Sequence, residues 1–334
     1  MTFLFPGHFP STRLRRLRQS PWVRDLVAES SLTPHDLILP LFVRDAQTPP
    51  AIASLPGVQR YTVAELPPLI EAISQAGLPA VALFPVTPPA LKTENGQQAL
   101  NPDNLVCQAI RCFKSYNPTL GIITDVALDP YTTHGHDGIF NNQHIDNDET
   151  IKILCQQAFN QAQAGADALA PSDMMDGRVG AIRHFLDSQG FCHTLMISYA
   201  AKYASSFYGP FRQAVTTAPL QGLGDKKTYQ MNPANRNEAL REVALDIQEG
   251  ADMVIIKPGL PYLDIVYQVA TTFQVPTLAY QVSGEYAALM AAAQNGWLDA
   301  NQAMLESLLA FKRAGACGIL TYSALTMANY LLCK

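Results

Sequence analysis

The sequence contains the stretch Val254-Ile255-Ile256-Lys257-Pro258-Gly259, in which an apolar run ends on a lysine and Pro-Gly then prevents its continuation. A short, largely β-branched run of this kind predicts a strand that is buried on both faces. A charged lysine at the end of such a strand loses hydration, so its pKa is expected to fall and leave a free amine that can attack a carbonyl group. For one such lysine alone, a side chain that extends its amine to solvent is the simpler interpretation.

A second lysine occupies the same kind of position. Lys202 follows the predicted strand Leu195–Tyr199, after two alanines. Two lysines that face one cavity lower each other's pKa by like-charge repulsion. The chemical hypothesis is therefore a pair of uncharged amines in one site.

Composition limits the classes of protein that fit. The 334 residues are 48% hydrophobic, enough for a large core and compatible with one barrel-sized domain. A net charge of −5 argues against nucleic acid or an anionic membrane as the main partner. Six scattered cysteines without a C-x-x-C pair suit a reducing compartment, and no secretion signal or membrane-spanning run is found. We therefore expect a cytoplasmic protein with no membrane or nucleic-acid partner.

Residues 1–35 differ from the rest of the chain. Ser11–Arg18 holds a basic cluster, and no acidic residue precedes Asp25. A transit peptide, a solvated charged run and an arm laid on a neighbouring subunit all fit this pattern. The proline-punctuated apolar run from Phe3 to Pro10 would gain from packing on another surface, which favours the arm.

Eight strand–helix units follow Pro34 and predict the fold. The predicted strands are Leu37–Val43, Ala80–Phe84, Leu120–Val126, Ala168–Ala170, Leu195–Tyr199, Met253–Lys257, Thr277–Val282 and Gly318–Thr321. Repeated alternation with helices, such as the one predicted at Pro233–Gln248, implies a parallel sheet. Eight units favour a closed barrel, and no strand is followed by G-x-G-x-x-G. The predicted fold class is α/β: a single (β/α)8 TIM barrel over residues 36–334 with an extended N-terminal arm over 1–35.

Polar residues gather where the strands of this barrel end, which is where TIM-barrel active sites lie. They are Asp125, Ser172, Lys202, Lys257, Ser283 and Tyr322. The loop 125–138 adds further carboxylates and two histidines, a set typical of hard cations or hydrogen bonding rather than structural zinc. A loop stabilised by contacts with its own backbone is an equally open interpretation. Arg212 could hold a carboxylate, and the segment 224–233 suits a lid.

These residues alone leave other functions open. A class I aldolase-like barrel needs only one Schiff-base lysine. A catalytically silent barrel that binds carboxylated metabolites or serves as a scaffold is a candidate from another class.

Several long motifs, in the same order along the chain, closely resemble the δ-aminolevulinic acid dehydratase family, also called the porphobilinogen synthases. The matching segments are Arg13–Arg18, Asp125–Gly138, Ala170–Arg178, Ser198–Arg212, Val254–Asp264 and Tyr280–Tyr286. The resemblance implies condensation of two 5-aminolevulinate molecules into porphobilinogen with loss of water, an early step of tetrapyrrole (heme) biosynthesis.

The resemblance also implies a role for each matching residue. Lys257 corresponds to the Schiff-base lysine on the propionate side and Lys202 to the one on the acetate side. On the propionate side, Ser283 and Tyr322 correspond to the carboxylate ligands. On the acetate side, the carboxylate ligands correspond to Arg212, Lys226 and Gln230, and the residues near the amino group to Asp125 and Ser172. The pocket walls correspond to Tyr208, Phe211 and Tyr280.

One departure concerns metals. Zinc-dependent members of the family carry three cysteines where this sequence has Ala127, Asp129 and Asp137, so the chain resembles an aspartate-rich branch and catalytic zinc is not expected. Asp129 and Asp137 are expected to bind Mg²⁺ or a monovalent cation, or only to orient substrate. Glu242 matches a ligand of an activating, allosteric Mg²⁺, although an ordinary solvent-facing helical glutamate is the alternative. The resemblance further implies a homo-oligomer, typically an octamer, whose N-terminal arms embrace neighbouring subunits.

Overall fold

Eight parallel strands form a closed barrel in the computed structural model, which describes residues 7–216 and 224–333. The strands are β1 Leu37–Arg44, β2 Ala80–Val86, β3 Gly121–Val126, β4 Ala168–Pro171, β5 Leu195–Lys202, β6 Met253–Lys257, β7 Thr277–Gln281 and β8 Gly318–Thr321. Each strand pairs with the next in chain order, and β8 returns to β1 through Leu37 with Ile319 and Ile38 with Leu320. The predicted TIM barrel is confirmed.

The helices pack around this barrel and account for its buried strands. They are α1 Pro21–Leu26, α2 Leu66–Gln75, α3 Leu105–Tyr116, α4 Asn147–Ala164, α5 Arg178–Ser188, α6 Gly209–Ala214, α7 Asn237–Gln248, α8 Leu263–Phe273, α9 Ser283–Gln294, α10 Ala300–Arg313 and α11 Ala324–Leu332. Every residue of β1 is buried, because side chains on one face fill the barrel and those on the other meet the helices. This is why the strands read as continuous apolar runs rather than alternating ones.

Local signals set the helix ends. The side chain of Asn104 accepts a hydrogen bond from the backbone of Cys107 and starts α3, and Asp146 does the same for Glu149 at the start of α4. Gly165, in the left-handed conformation at φ 109°, ends α4. The helix predicted at Pro233–Gln248 is shorter in the structure, where α7 begins at Asn237 and ends at Gln248 as predicted.

Strand β5 is longer than the sequence predicted, and Lys202 is its last residue rather than lying beyond it. Ser198 pairs with Val254 but Ala201 pairs with Ile256, so β5 carries one extra residue at this point. Such a bulge changes which face of the strand the following side chains point to. After it, Lys202 lies directly beside Lys257, at the same level of the barrel.

The short strand Arg60–Tyr61 pairs with β1, and Ile139–Asn141 forms a hairpin with His144–Asp146. Neither was predicted, since two or three residues give no readable periodicity.

The described part of the N-terminal segment lies outside the barrel. Helix α1 has no buried residue, and Trp22 and Leu26 are 68% and 75% exposed. The barrel begins at Asp36, whose carboxylate lies 2.6 Å from Nζ of Lys312. The predicted contact of Phe3 to Pro6 with another surface lies outside the described residues.

Candidate active site

The amine of Lys257 lies at the carboxyl end of β6, enclosed by aromatic rings. Its Nζ is 4.8 Å from the ring centre of Tyr199, 4.9 Å from Tyr280, 5.3 Å from Phe211 and 5.5 Å from Tyr208. Burial, reinforced by the neighbouring charge of Lys202, lowers the pKa of Lys257 to about 7. Near neutral pH a large share of this amine is therefore uncharged and nucleophilic.

Lys202 shares a cavity with Lys257, as predicted, but its own contacts are polar. Nζ of Lys202 donates a hydrogen bond to the backbone carbonyl of Ser172 and lies 3.9 Å from Oδ1 of Asp137. Tyr199 and Lys202 are three residues apart, so a regular strand would place them on opposite faces. The bulge in β5 is what brings both into the site.

Asp129 and Asp137, from the loop after β3, are both buried and both contact Lys226. Nζ of Lys226 lies 3.0 Å from Oδ1 of Asp137 and 3.3 Å from Oδ2 of Asp129, and Nε2 of Gln230 lies 3.5 Å from Asp137. Burial raises the pKa of Asp129. Burial also favours a raised pKa for Asp137, but Lys202 and Lys226 outweigh it and lower that pKa. At neutral pH Asp137 is therefore ionised and places a negative charge beside Lys202.

Asp125, near the end of β3, is half-buried, and its Oδ1 atom is shielded from solvent. Within the described residues its Oδ1 has no hydrogen-bond partner. Burial raises its pKa to about 6, against the opposing charge of Lys257, and the Ser172 hydroxyl favours its ionised form by hydrogen bonding. An ammonium group that entered the site would supply the missing donor.

The ends of β7 and β8 supply hydroxyl groups to the other side of the site. Ser283 is fully buried, and its Oγ accepts a hydrogen bond from the backbone nitrogen of Phe211 at 2.9 Å. The hydroxyls of Tyr280 and Tyr322 lie 3.1 Å apart, and the Tyr322 ring stacks on Phe42 with ring centres 5.8 Å apart. The carboxyl ends of these strands thus carry donors next to an aromatic wall.

In this arrangement the site is nearly filled. The cavity between the two lysines has a volume of about 30 Å³, and Arg212, Lys226 and Gln230 line both it and an adjoining cavity of about 200 Å³. The inner volume holds roughly one water molecule. Arg212, on α6, is exposed at this opening. The segment that carries Lys226 and the segment that carries Arg212 therefore lie on either side of the opening.

Comparison with known proteins shows which family has this arrangement of residues. A family profile described as delta-aminolevulinic acid dehydratase matches residues 11–330. The chain belongs to the delta-aminolevulinic acid dehydratase family.

Individual members of the dehydratase family are similar over almost the whole chain. The enzyme of Bradyrhizobium diazoefficiens is 56% identical over 320 residues, covering 96% of this chain and 90% of its own length. The enzyme of Rhodobacter capsulatus is 53% identical and covers 99% of each. A Toxoplasma gondii porphobilinogen synthase, solved with the reaction product porphobilinogen, superposes with a TM-score of 0.93 at 46% identity, covering 96% of this chain and 91% of its own. The chain is thus a dehydratase, in the lyase class, and the family prediction is confirmed.

Two residues of the dehydratase site carried no predicted role. Tyr199 forms part of the wall around Lys257. Glu285 accepts hydrogen bonds from the backbone nitrogens of Leu260 and Val282, each at 2.6 Å, and so joins the loops after β6 and β7. Burial raises the pKa of Glu285 to about 7. Glu285 lies three residues after Val282 and caps the start of α9 through the backbone nitrogen of Val282, but valine cannot supply the other half of a capping box, so the sequence carries no clear signal for this role.

Glu242 lies apart from the lysine cavity, on α7. It is half-buried and lines a cavity of about 570 Å³ together with Asp176, Glu238 and the segment 227–232. Burial raises the pKa of Glu242, and Asp246 and Asp176 add to this against the opposing charge of Arg178. Within the described residues no group of three or more histidine, cysteine or acidic side chains is arranged to hold a metal ion. Among the same residues, no helix is long and apolar enough to cross a membrane.

The lowered pKa of Lys257 leads to a test that needs no substrate. Only the neutral amine reacts with formaldehyde and cyanoborohydride, so methylation of Lys257 should be half-maximal near pH 7, far below the titration of an ordinary lysine. Lys202→Met removes a positive neighbour and should move this midpoint upward. Peptide mass spectrometry against pH gives both curves. The exposed Lys152, paired with Glu149, is the internal reference; a Lys257 curve that coincides with that of Lys152 would show that the amine stays charged.

Proposed function

We propose that the chain condenses two molecules of 5-aminolevulinate into porphobilinogen, with loss of two waters, through Schiff bases on Lys202 and Lys257. The observation that carries the proposal is the pairing of these two lysines in register at the ends of β5 and β6, above one cavity. Membership of the dehydratase family supports the substrate. The reaction is an early step of tetrapyrrole (heme) biosynthesis.

The reaction needs two lysines because each of the two substrates carries one keto group. Each amine attacks one keto carbon, and the keto oxygen leaves as water when the imine forms, which accounts for both waters. An imine makes its carbon electrophilic, and its enamine form makes the adjacent carbon nucleophilic. One C–C and one C–N bond then join the substrates, and both lysines are released as amines when the pyrrole forms.

The propionate-side substrate is assigned to Lys257. Its carboxylate would accept hydrogen bonds from Ser283 and Tyr322, whose hydroxyls lie at the ends of β7 and β8. The rings of Tyr208 and Phe211, with that of Tyr280, form the walls that keep water from the amine. A dry site keeps the amine neutral and strengthens the polar contacts inside it.

The acetate-side substrate is assigned to Lys202. Asp125, with its unpartnered oxygen, and Ser172 would hold the substrate ammonium. The substrate carboxylate would be held by Arg212, Lys226 and Gln230, which line the opening of the site.

Substrate entry requires the segment 224–233 to act as a lid. The cavity of about 30 Å³ is far too small for two substrates, and Lys226 occupies it while paired with Asp129 and Asp137. Tyr229 fastens the same segment, because its hydroxyl lies 3.1 Å from Nδ1 of His136. When Lys226 turns to the substrate carboxylate, Asp129 and Asp137 become available to orient the substrate or to bind a monovalent cation or Mg²⁺.

Borohydride trapping tests the two Schiff bases. With 5-aminolevulinate present, reduction should attach substrate to both Lys202 and Lys257, seen by peptide mass spectrometry. Lys257→Met and Lys202→Met should each reduce porphobilinogen formation to background with an unchanged circular dichroism spectrum, because each removes one covalent attachment. Lys152→Met, at an exposed and distant lysine, should leave the rate unchanged. Label on a single lysine without pyrrole formation would instead indicate an aldolase-like reaction.

We further propose that the enzyme belongs to the aspartate-rich, zinc-independent branch and is activated allosterically by Mg²⁺ at Glu242. Ala127, Asp129 and Asp137 supply no thiolate for zinc. Mg²⁺ commonly keeps several waters and takes only one or two carboxylates. Glu242 fits such a site, because a cation there would relieve the repulsion among Glu242, Asp176 and Glu238. Glu242, together with water molecules that the ion keeps, would hold Mg²⁺, which supplies positive charge.

Glu242→Gln tests the magnesium proposal. In the unaltered enzyme Mg²⁺ should raise both activity and melting temperature. The variant should keep its metal-free activity and lose both responses. Because the pKa of Glu242 is raised, protons compete for it and activation should weaken as the pH falls. Glu306→Gln, on the exposed face of α10, is the control. Inhibition by a zinc-selective chelator that zinc alone reverses would contradict the proposal.

We also propose that residues 1–35 are an arm for subunit contacts in a homo-octamer, and that the enzyme acts in the cytoplasm. The exposed Trp22 and Leu26 supply apolar area that a neighbouring subunit would cover. All six cysteines are unpaired, which suits a reducing compartment.

The double substitution Trp22→Glu with Leu26→Glu tests the arm. Two charges on this face should be incompatible with burial in an interface, so native mass spectrometry should show smaller assemblies than in the unaltered protein. Trp297→Glu, at a tryptophan that is 76% exposed in the loop between α9 and α10, should leave the mass unchanged. An unaltered protein that is monomeric would contradict the octamer.

A further inference from the structure

Arg178 is a fully buried arginine outside the lysine cavity, at the first position of α5. Its guanidinium forms an ion pair with Asp246 of α7, with N–O distances of 3.2 and 3.3 Å. Burying an ion pair removes both groups from water, so the pair adds little net stability compared with apolar packing. The other contacts of Arg178 therefore point to a role beyond stability.

The first set of contacts is on β5, at its bulge. Nη2 of Arg178 donates hydrogen bonds to Oγ of Ser198 at 3.1 Å and to the backbone carbonyl of Tyr199 at 3.3 Å. The Ser198 hydroxyl in turn donates to Asp246 at 2.6 Å. The register of β5 shifts between Ser198 and Ala201, so these bonds hold the strand where the extra residue redirects Lys202 into the site.

The second set is on the loop after β4. Nε of Arg178 lies 3.6 Å from Oδ2 of Asp173, and Nη1 donates to the backbone carbonyl of Met175 at 3.3 Å. Between them Met174 has a φ of 67°, a left-handed conformation that costs a non-glycine residue about 1 kcal/mol or more. Ser172, which precedes this turn, accepts the hydrogen bond from Nζ of Lys202.

We propose that Arg178 is a positioning residue for Lys202, fixing both the bulge that aims this lysine and the loop whose carbonyl receives its amine. A guanidinium suits this task, since its planar donors reach acceptors on two strands and a helix at once. A lysine at this position offers a single nitrogen and cannot satisfy all of them. The inference rests on the proposed function, in which Lys202 forms the acetate-side Schiff base.

Arg178→Lys and Ser198→Ala test the inference through the ratio of the two trapped lysines. With 5-aminolevulinate and borohydride, Arg178→Lys should lower substrate attachment to Lys202 relative to Lys257 by about 100-fold, and kcat should fall similarly, since a displacement of about 1 Å can cost that much. KM should change less. Ser198→Ala keeps the buried ion pair and removes one bond to the bulge, so a fall of about 10-fold in the same ratio is expected.

A matched control is Arg44→Lys. Arg44 is also a buried arginine. Within the described part of the chain its side chain bonds to the backbone carbonyls of Asp45 and Arg60 and to Glu65, and these bonds do not involve β5 or β6. This variant should lower the melting temperature without changing the Lys202 to Lys257 ratio.

The outcomes separate this inference from the function on which it rests. Absence of label on Lys202 in the unaltered enzyme would overturn the proposed function itself. Label on both lysines there, with an unchanged ratio in Arg178→Lys and Ser198→Ala, would overturn only the positioning role. Equal loss at both lysines together with a lowered melting temperature would show that Arg178 merely supports the fold. If Arg178→Lys does not fold, the ratio in Ser198→Ala decides.

Discussion

The amine of Lys257 is almost entirely removed from solvent, and the rest of the site depends on this constraint. Four aromatic rings surround it: two come from strands β5 and β7, and two come from the segment that follows β5, including α6. A buried lysine is stable either as a cation paired with a carboxylate or, with a lowered pKa, as a neutral amine. Here the strongest effect of a neighbouring charge comes from another lysine, Lys202, so loss of the proton is favoured, and the pKa of Lys257 falls to about 7. The closed barrel makes this arrangement stable, because it places strand ends from several parts of the chain around one point.

The carboxylates near the lysines are kept at different protonation states by their surroundings. Asp137 lies against Lys202 and Lys226, which lower its pKa in spite of burial, whereas burial dominates at Asp125 and raises its pKa to about 6. Groups whose pKa values are pushed apart can serve as acid and base at one pH. A condensation that forms two imines and a pyrrole moves several protons, and Asp125 is suited to accept or release one of them.

Much of this architecture could be predicted from the sequence. The rest could not be predicted, and the reasons are physical. Apolar runs between helices gave the eight strands, and Lys257 followed from the run that it ends. The bulge in β5 was not predictable, because Tyr199-Ala200-Ala201-Lys202 carries no local mark of an extra residue; the shift appears only against β6. Arg178 and its partner Asp246 are 68 residues apart, and such pairing is set by the fold. The roles of Ser283 and Tyr322 came from family resemblance, since a hydroxyl after a strand is common in any barrel.

Charge balance explains how so many ionisable groups can share a buried site. Three lysines, Lys202, Lys226 and Lys257, lie among three carboxylates, Asp125, Asp129 and Asp137. Burial lowers the pKa of Lys257 and raises the pKa of Asp125, so both groups shift toward their neutral forms and the two signs stay balanced. An excess of either sign would cost several kcal/mol per unpaired ion. The substrate assigned to this site carries one ammonium and one carboxylate, so it enters without a change in net charge. In the proposed function Lys226 exchanges its aspartate partners for a substrate carboxylate, while Asp125 and Ser172 receive the substrate ammonium. The ion pairs of Lys226 with Asp129 and Asp137 are thus the same kind of contact that Lys226 is proposed to make with a substrate carboxylate.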